Sequence, residues 1–131
     1  MRIWLIWTMT ILVAWACSYQ GVLEKAIDSK QLVWVFVENE KCPWCEKMRA
    51  HIIENGFYER RLSQKYVLVA LTTDEAKDCN LDIKYYPSSF LIEPNSNKIL
   101  DFLPGYMKPI DFLDLLNIVY EQFFEPETAL E

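Results

Sequence analysis

The sequence is poor in the features that bind phosphate groups. Its 131 residues contain only three glycines, and they hold no run of Lys or Arg, no glycine-rich phosphate loop and no internal repeat. The formal net charge is -6, and an acidic surface repels nucleic-acid backbones. We therefore expect no nucleic-acid partner.

Cysteine is also scarce, with four residues in the whole chain. This number is too small for a fold built from disulfides, and the composition does not require one, since 52% of the residues are hydrophobic and 15% aromatic. Such a chain can bury a core of its own and fits one domain. The cysteines are therefore expected to serve reactivity more than scaffolding.

The first residues are typical of an export signal. One Arg precedes an apolar run that ends in Ala14-Trp15-Ala16, so residues 1–16 are predicted to be a signal peptide. An uncleaved anchor is the alternative, although the run is shorter than the roughly 18–20 residues of a spanning helix. Cys17 follows directly and resembles the cysteine of a bacterial lipoprotein signal. Two interpretations stay open, namely lipidation of Cys17 as the first mature residue, or an incidental cysteine after ordinary cleavage near Ala16.

Hydrophobic patterning in the rest of the chain predicts one α/β domain over 19–125 and an acidic tail over 126–131. The run LVWVFV is typical of a strand that helices cover on both faces. The expected order is α–β–α–β–α–β–β–α. Helices are predicted over Tyr19–Ser29, Pro43–Asn55, Asp74–Ile83 and Pro109–Phe124. Strands are predicted over Leu32–Val37, Lys65–Thr73, Ser88–Pro94 and Lys98–Pro104.

Cys42 and Cys45 form a C-x-x-C pair where the first strand passes into a helix. Cys42 would be the N-cap, where unpaired N–H groups stabilise a thiolate, so it is predicted to attack and Cys45 to resolve the mixed disulfide. A soft-metal site for Cu(I) and an inert staple are the alternatives. Zinc requires about four ligands, and only Cys79 and His51 remain to complete such a set. We expect no metal there, a partly buried structural thiol at Cys79 and a solvated His51.

Three motifs occur together in the chain: C-P-W-C, Pro87 in K-Y-Y-P-S before the third strand, and Gly105 after the hairpin. With these motifs the chain resembles thioredoxin-like proteins over 20–124. The resemblance implies a thioredoxin fold with a central mixed four-stranded sheet flanked by helices. It also implies a cis Pro87 that docks an extended substrate, and no cofactor beyond the redox-active disulfide. Trp44, Tyr86 and Gly105 are expected to contact substrate beside Pro87.

The pattern G-Y-x-x-P-x-x-F-L from Gly105 resembles exported thioredoxin-related proteins of the SoxW kind. That resemblance implies a periplasmic reductase of disulfides in exported proteins, recharged by a membrane electron donor. Three positions depart from ordinary thioredoxins. Phe36 stands where they have a buried Asp, Lys41 stands where they have a Trp, and the residue before Pro87 is the large Tyr86. The alternative function is a binding module for Cu(I) or for partner proteins, without redox turnover.

Overall fold

A computed structural model describes residues 17–124 of the chain. The predicted signal peptide and acidic tail lie outside these residues. The helices are α1 Gln20–Asp28, α2 Pro43–Met48, α3 Gly56–Leu62, α4 Thr73–Asp78 and α5 Pro109–Phe124. The strands are β1 Leu32–Val37, β2 Tyr66–Leu71, β3 Ser88–Glu93 and β4 Lys98–Pro104. Between 17 and 124, no helix combines the length and hydrophobicity needed to cross a bilayer.

The four strands form one mixed sheet in the order β2-β1-β3-β4. Strand β1 is parallel to β2 and antiparallel to β3, and β3 is antiparallel to β4. All six residues of β1 are buried, as its uninterrupted apolar run predicts for a central strand covered on both faces. The predicted mixed four-stranded sheet with flanking helices is therefore confirmed.

Strand β1 divides the core into two layers because successive side chains point to opposite faces of a sheet. Trp34 and Phe36 pack in the layer with α2, α3 and α5. Val33, Val35 and Val37 pack in the layer with α1 and α4. The domain is thus a three-layer arrangement with the sheet in the middle.

The region predicted as one helix from Pro43 to Asn55 is more complex. Helix α2 passes into a π-helical segment at Arg49–Ile53, and Asn55 then caps the separate helix α3 by accepting a hydrogen bond from the Phe57 N–H. Gly56, which the sequence pattern indicated as a helix end, is instead the first residue of α3. The structure has a separate helix α3 because Asn55 caps a new helix at the point where glycine is typical of a helix end.

Helix α4 is also shorter than the predicted Asp74–Ile83. It ends at Asp78, because Asn80 adopts a left-handed backbone with φ of 58°. The Leu81 N–H then donates to the Ala76 carbonyl at 3.0 Å, which satisfies one of the last carbonyl groups of the helix.

All four cysteines lie in the described part of the chain, and none is free. Cys17 is bonded to Cys79 across 62 residues, with their Cα atoms 4.6 Å apart. Cys79 is therefore half of a disulfide and not the free structural thiol that the sequence suggested. A sulfur in a disulfide cannot also carry a thioether-linked lipid, so this form of the protein is incompatible with lipidation of Cys17.

Candidate active site

The strand register brings four chain segments together at one edge of the sheet. Val37, at the end of β1, pairs with Leu71 at the end of β2 and with Ser88 at the start of β3. Ser88 in turn pairs with Pro104 at the end of β4. The segments that follow or precede these residues must therefore meet, and they carry the C-x-x-C pair, the start of α4, Pro87 and Gly105.

Cys42 and Cys45 are joined by a disulfide at this edge. Cys42 is the N-cap of α2, and its sulfur accepts a hydrogen bond from the Cys45 N–H at 3.2 Å. Pro43 takes the first helical position, where it removes no intrahelical hydrogen bond. Cys42 is half-buried while Cys45 is only 2% exposed. An incoming sulfur would therefore reach Cys42 more readily than Cys45.

Phe36 and Lys41, two of the three departures from ordinary thioredoxins, occupy different environments. Phe36 is fully buried and belongs to the same apolar cluster as Met48 of α2. Lys41 is exposed and has a left-handed backbone with φ of 55°, directly before the first cysteine. Glu38 follows β1 directly, and its carboxylate is half-buried and forms an ion pair with Arg49. The hydrogen bond from Arg49 to Glu38 raises the pKa of that guanidinium.

Pro87 and Gly105 are held against each other at the edge of the sheet that carries the C-x-x-C pair. The Tyr86–Pro87 peptide bond is cis, and Pro87 is buried. The Gly105 N–H donates to the Pro87 carbonyl at 2.7 Å. Gly105 has φ of 77°, a conformation that side-chain-bearing residues rarely adopt, so glycine suits this turn. These two predicted site residues are therefore brought together.

Aromatic side chains surround this turn and form a groove of about 330 Å³, which we call the aromatic groove. Its lining consists of Trp44, Tyr85, Tyr86, Gly105 and Tyr106. Sequence reasoning selected three of these residues and missed Tyr85 and Tyr106. Their places directly beside Tyr86 and Gly105 were a signal that could have found them.

The Trp44 ring is held by its neighbours. Its centroid lies 5.4 Å from that of Tyr106, and the Lys47 Nζ lies 5.0 Å from the Trp44 centroid and 4.9 Å from the Tyr106 centroid. His51 is exposed as predicted, yet its Nδ1 lies 3.3 Å from the Tyr106 hydroxyl. The single histidine therefore touches the edge of the aromatic groove.

A second and larger groove of about 650 Å³ contains the disulfide itself. We call it the acidic groove, and its lining comprises Glu38, Asn39, Glu40, Lys41, Cys42, Cys45, Glu46, Thr72, Thr73 and Asp74. The sequence did not reveal this groove, because its walls come from segments about 30 residues apart in the chain. Among residues 17–124, no three His, Cys, Asp or Glu side chains are grouped as a metal-ion site.

Comparison with known proteins identifies the family. A family model described as a thioredoxin-like domain matches residues 19–119. The chain belongs to the thioredoxin-like domain family. No curated protein matches this thioredoxin-like chain.

Solved structures share the thioredoxin-like fold. A thioredoxin from Thermus thermophilus is 20% identical over 79% of this chain and 85% of its own, with a TM-score of 0.66. A protein described as DsbH oxidoreductase is 16% identical over 79% and 82%, with a TM-score of 0.60. The oxidised C-terminal domain of DsbD from Neisseria meningitidis is 14% identical over 76% and 90%, with a TM-score of 0.57.

This thioredoxin-like domain carries a closed C-x-x-C disulfide at the edge of the sheet where strands β1 and β2 end. The combination of fold and cysteine pair supports thiol–disulfide oxidoreductase chemistry in general terms. Because the two sulfurs differ in exposure, the domain offers one accessible and one protected sulfur for such exchange.

Proposed function

We propose that this protein is an exported thiol–disulfide oxidoreductase that reduces disulfides in other exported proteins. The observation that carries the proposal is the Cys42–Cys45 pair, with Cys42 as the N-cap of α2 and Cys45 buried beneath it. An N-cap sulfur faces unpaired backbone N–H groups, which stabilise its thiolate and make it the better nucleophile.

The exchange proceeds in two steps. In the reduced protein, the Cys42 thiolate attacks one sulfur of the client disulfide, and the other client sulfur leaves as a thiolate. The Cys45 thiolate then attacks the Cys42 sulfur, closes the protein disulfide and releases the second client thiolate. Two electrons have passed to the client, and a dithiol donor must return them to Cys42–Cys45 before the next cycle.

Docking of the client is assigned to the turn beside the disulfide. The backbone around Pro87 stands next to the end of β1, where an extended client segment would add its own backbone hydrogen bonds. Trp44, Tyr86 and Gly105 line the adjacent aromatic groove, which supports their proposed role in holding side chains of that segment.

The proposed compartment is the periplasm. The Cys17–Cys79 disulfide supports this proposal, because such bonds persist in oxidising compartments and are rare in reducing ones. Cleavage of the signal segment near Ala16 would leave Cys17 in the mature chain and keep this bond intact. The membrane electron donor remains part of the proposal, since an oxidising compartment supplies no reductant of its own.

The reductase direction and the SoxW-like subgroup are proposed from the sequence. C-P-W-C and the G-Y-x-x-P-x-x-F-L pattern that starts at Gly105 support the subgroup. The direction can be tested by equilibrating the protein with glutathione buffers and measuring its reduction potential. We expect a value near that of thioredoxin, about -270 mV. A value near that of DsbA, about -120 mV, would contradict a reductase and indicate an oxidant.

The activity itself can be tested by insulin reduction with dithiothreitol as the recharging dithiol. We expect the purified protein to accelerate insulin precipitation and Cys42→Ser to remain at the background rate, with circular dichroism confirming that the variant is folded. Equal rates for the two proteins would contradict the assigned nucleophile. Background activity of the unmodified protein together with stoichiometric Cu(I) uptake would favour the binding-module alternative.

A further inference from the structure

The two grooves at the active site have opposite chemical character. Cys42 and Cys45 line the acidic groove, whereas Trp44, which stands between them in sequence, lines the aromatic groove. The grooves share no lining residue, and they adjoin at the first turn of α2. A client segment whose cysteine reaches Cys42 therefore meets both of them.

Charge in the acidic groove is strongly biased. Four carboxylates line it against the single cation of Lys41. Glu38 is neutralised by its ion pair with Arg49, so it contributes little to the field that a client meets. The other three carboxylates are exposed, and none pairs with a cation within residues 17–124: Glu40, Glu46 and Asp74.

The aromatic groove presents open apolar surface. Trp44 is 54% exposed and Tyr85 is 62% exposed, which is unusual for rings of this size. The Trp44 ring is nevertheless fixed in place, because Tyr106 packs against it and the Lys47 ammonium lies near both rings. A fixed ring loses little conformational entropy when it binds another side chain.

We propose that the preferred client segment carries an aromatic or large apolar residue on one side of its reactive cysteine and a Lys or Arg on the other. The apolar residue enters the aromatic groove, and the basic residue complements the unpaired carboxylates of the acidic groove. This selectivity rests on the proposed exchange activity and adds the class of client to it. The acidic groove disfavours clients that have acidic residues next to the cysteine.

Matched peptides test the inference. Each carries one cysteine as a mixed disulfide with thionitrobenzoate, whose release by the reduced full chain is followed by absorbance. The peptides are identical except at the two positions that flank the cysteine. One of these positions is Phe or Ala and the other is Lys or Glu, and each combination is made with the two residues in either order. In the preferred order we expect the second-order rate constant of thionitrobenzoate release for Phe with Lys to exceed that for Ala with Glu about tenfold. The ratio of the rate constant for Lys peptides to that for Glu peptides should fall at high salt, since exposed charges are screened.

Variants separate the two grooves. The triple change Glu40→Gln, Glu46→Gln and Asp74→Asn should bring the Lys-over-Glu ratio close to one and leave the Phe-over-Ala ratio in place. Tyr85→Ala should instead bring the Phe-over-Ala ratio close to one and leave the Lys-over-Glu ratio in place. The matched controls are Glu24→Gln, on the exposed surface of α1, and Phe57→Ala, whose ring on α3 is 44% exposed; both should leave the two ratios unchanged.

The outcomes distinguish the selectivity from the activity. Equal rates for all peptides, or a preference for Glu over Lys, would overturn the proposed client class while leaving the exchange function intact. No thionitrobenzoate release above background from any peptide, together with no insulin reduction, would instead overturn the proposed function itself.

Discussion

At the scale of single residues, Gly105 fixes the turn against Pro87 through its backbone. An added Cβ would meet no atom within 4 Å, so the obstacle to substitution is the φ of 77° and not a lack of space. We predict that Gly105→Ala lowers the free energy of unfolding by about 1–2 kcal/mol, the cost of a left-handed backbone for an L-residue. Urea denaturation followed by fluorescence measures this change.

The same substitution at Gly21 serves as the control. Gly21 lies in α1, and an added Cβ there also meets nothing within 4 Å. Alanine is the better helix former, so Gly21→Ala should raise stability by about 0.5–1 kcal/mol. Effects of the same sign at both positions would contradict the role assigned to the Gly105 backbone.

Glu93 provides a prediction about pH. Burial acts to raise its pKa, but hydrogen bonds from the Ser96 hydroxyl and from the Asn95 and Ser96 N–H groups outweigh burial and lower the pKa. Because the pKa of Glu93 is lower in the folded protein than in the unfolded chain, its ionisation stabilises the fold at pH values above the unfolded pKa of about 4.3. This stabilisation is lost as the pH falls through the lowered pKa of the folded protein. Glu93→Gln should therefore cost about 1–2 kcal/mol at pH 7 and less below pH 4.

Urea denaturation of both proteins at pH 7 and pH 3.5 measures this difference. Glu24→Gln, on the exposed surface of α1, is the matched control and should show almost no deficit at either pH. A Glu93→Gln deficit that is equal at the two pH values would show that the charge of Glu93 does not contribute.

At the scale of elements, the Cys17–Cys79 disulfide ties the start of the domain to the end of α4. It closes a loop over a sequence separation of 62 residues, whereas Cys42–Cys45 spans a separation of 3. Chain entropy then predicts that replacing Cys17 and Cys79 by Ser costs about 4 kcal/mol, against about 2 kcal/mol for Cys42 and Cys45. Urea denaturation of the two double variants measures the loss in free energy of unfolding of each. A larger loss for the Cys42 and Cys45 variant would contradict the prediction.

The hydrophobic periodicity of the sequence does not predict two features, namely helix α3 and the Cys17–Cys79 bond. Helix α3 follows a π-helical segment, and the Gly56 at its start is typical of a helix end, although Asn55 before it is a good N-cap residue. The Cys17–Cys79 bond joins distant segments. The number of cysteines is a signal that could have predicted it, because an exported chain with one C-x-x-C pair has two cysteines left to pair.

At the scale of the whole molecule, the fold was predictable because its strands carry strong local signals. β1, β4 and α5 have the predicted bounds, and the buried run of β1 correctly indicates the centre of the sheet. The C-x-x-C pair and Pro87 were recognisable as motifs. The acidic groove was not, because Asp74 reaches the site only through the pairing of β1 with β2, which are far apart in sequence.

The proposed roles of Cys42 as the attacking cysteine and Cys45 as the resolving cysteine can be tested by trapping the mixed disulfide. Reduced Cys45→Ala is mixed with insulin, quenched with alkylating agent and mapped by mass spectrometry, with Cys42→Ala treated in parallel. We predict that an insulin adduct accumulates on Cys42 in the first variant and that little adduct forms on Cys45 in the second, since Cys45 is 2% exposed. Equal adducts on the two cysteines, or none on Cys42, would contradict these roles.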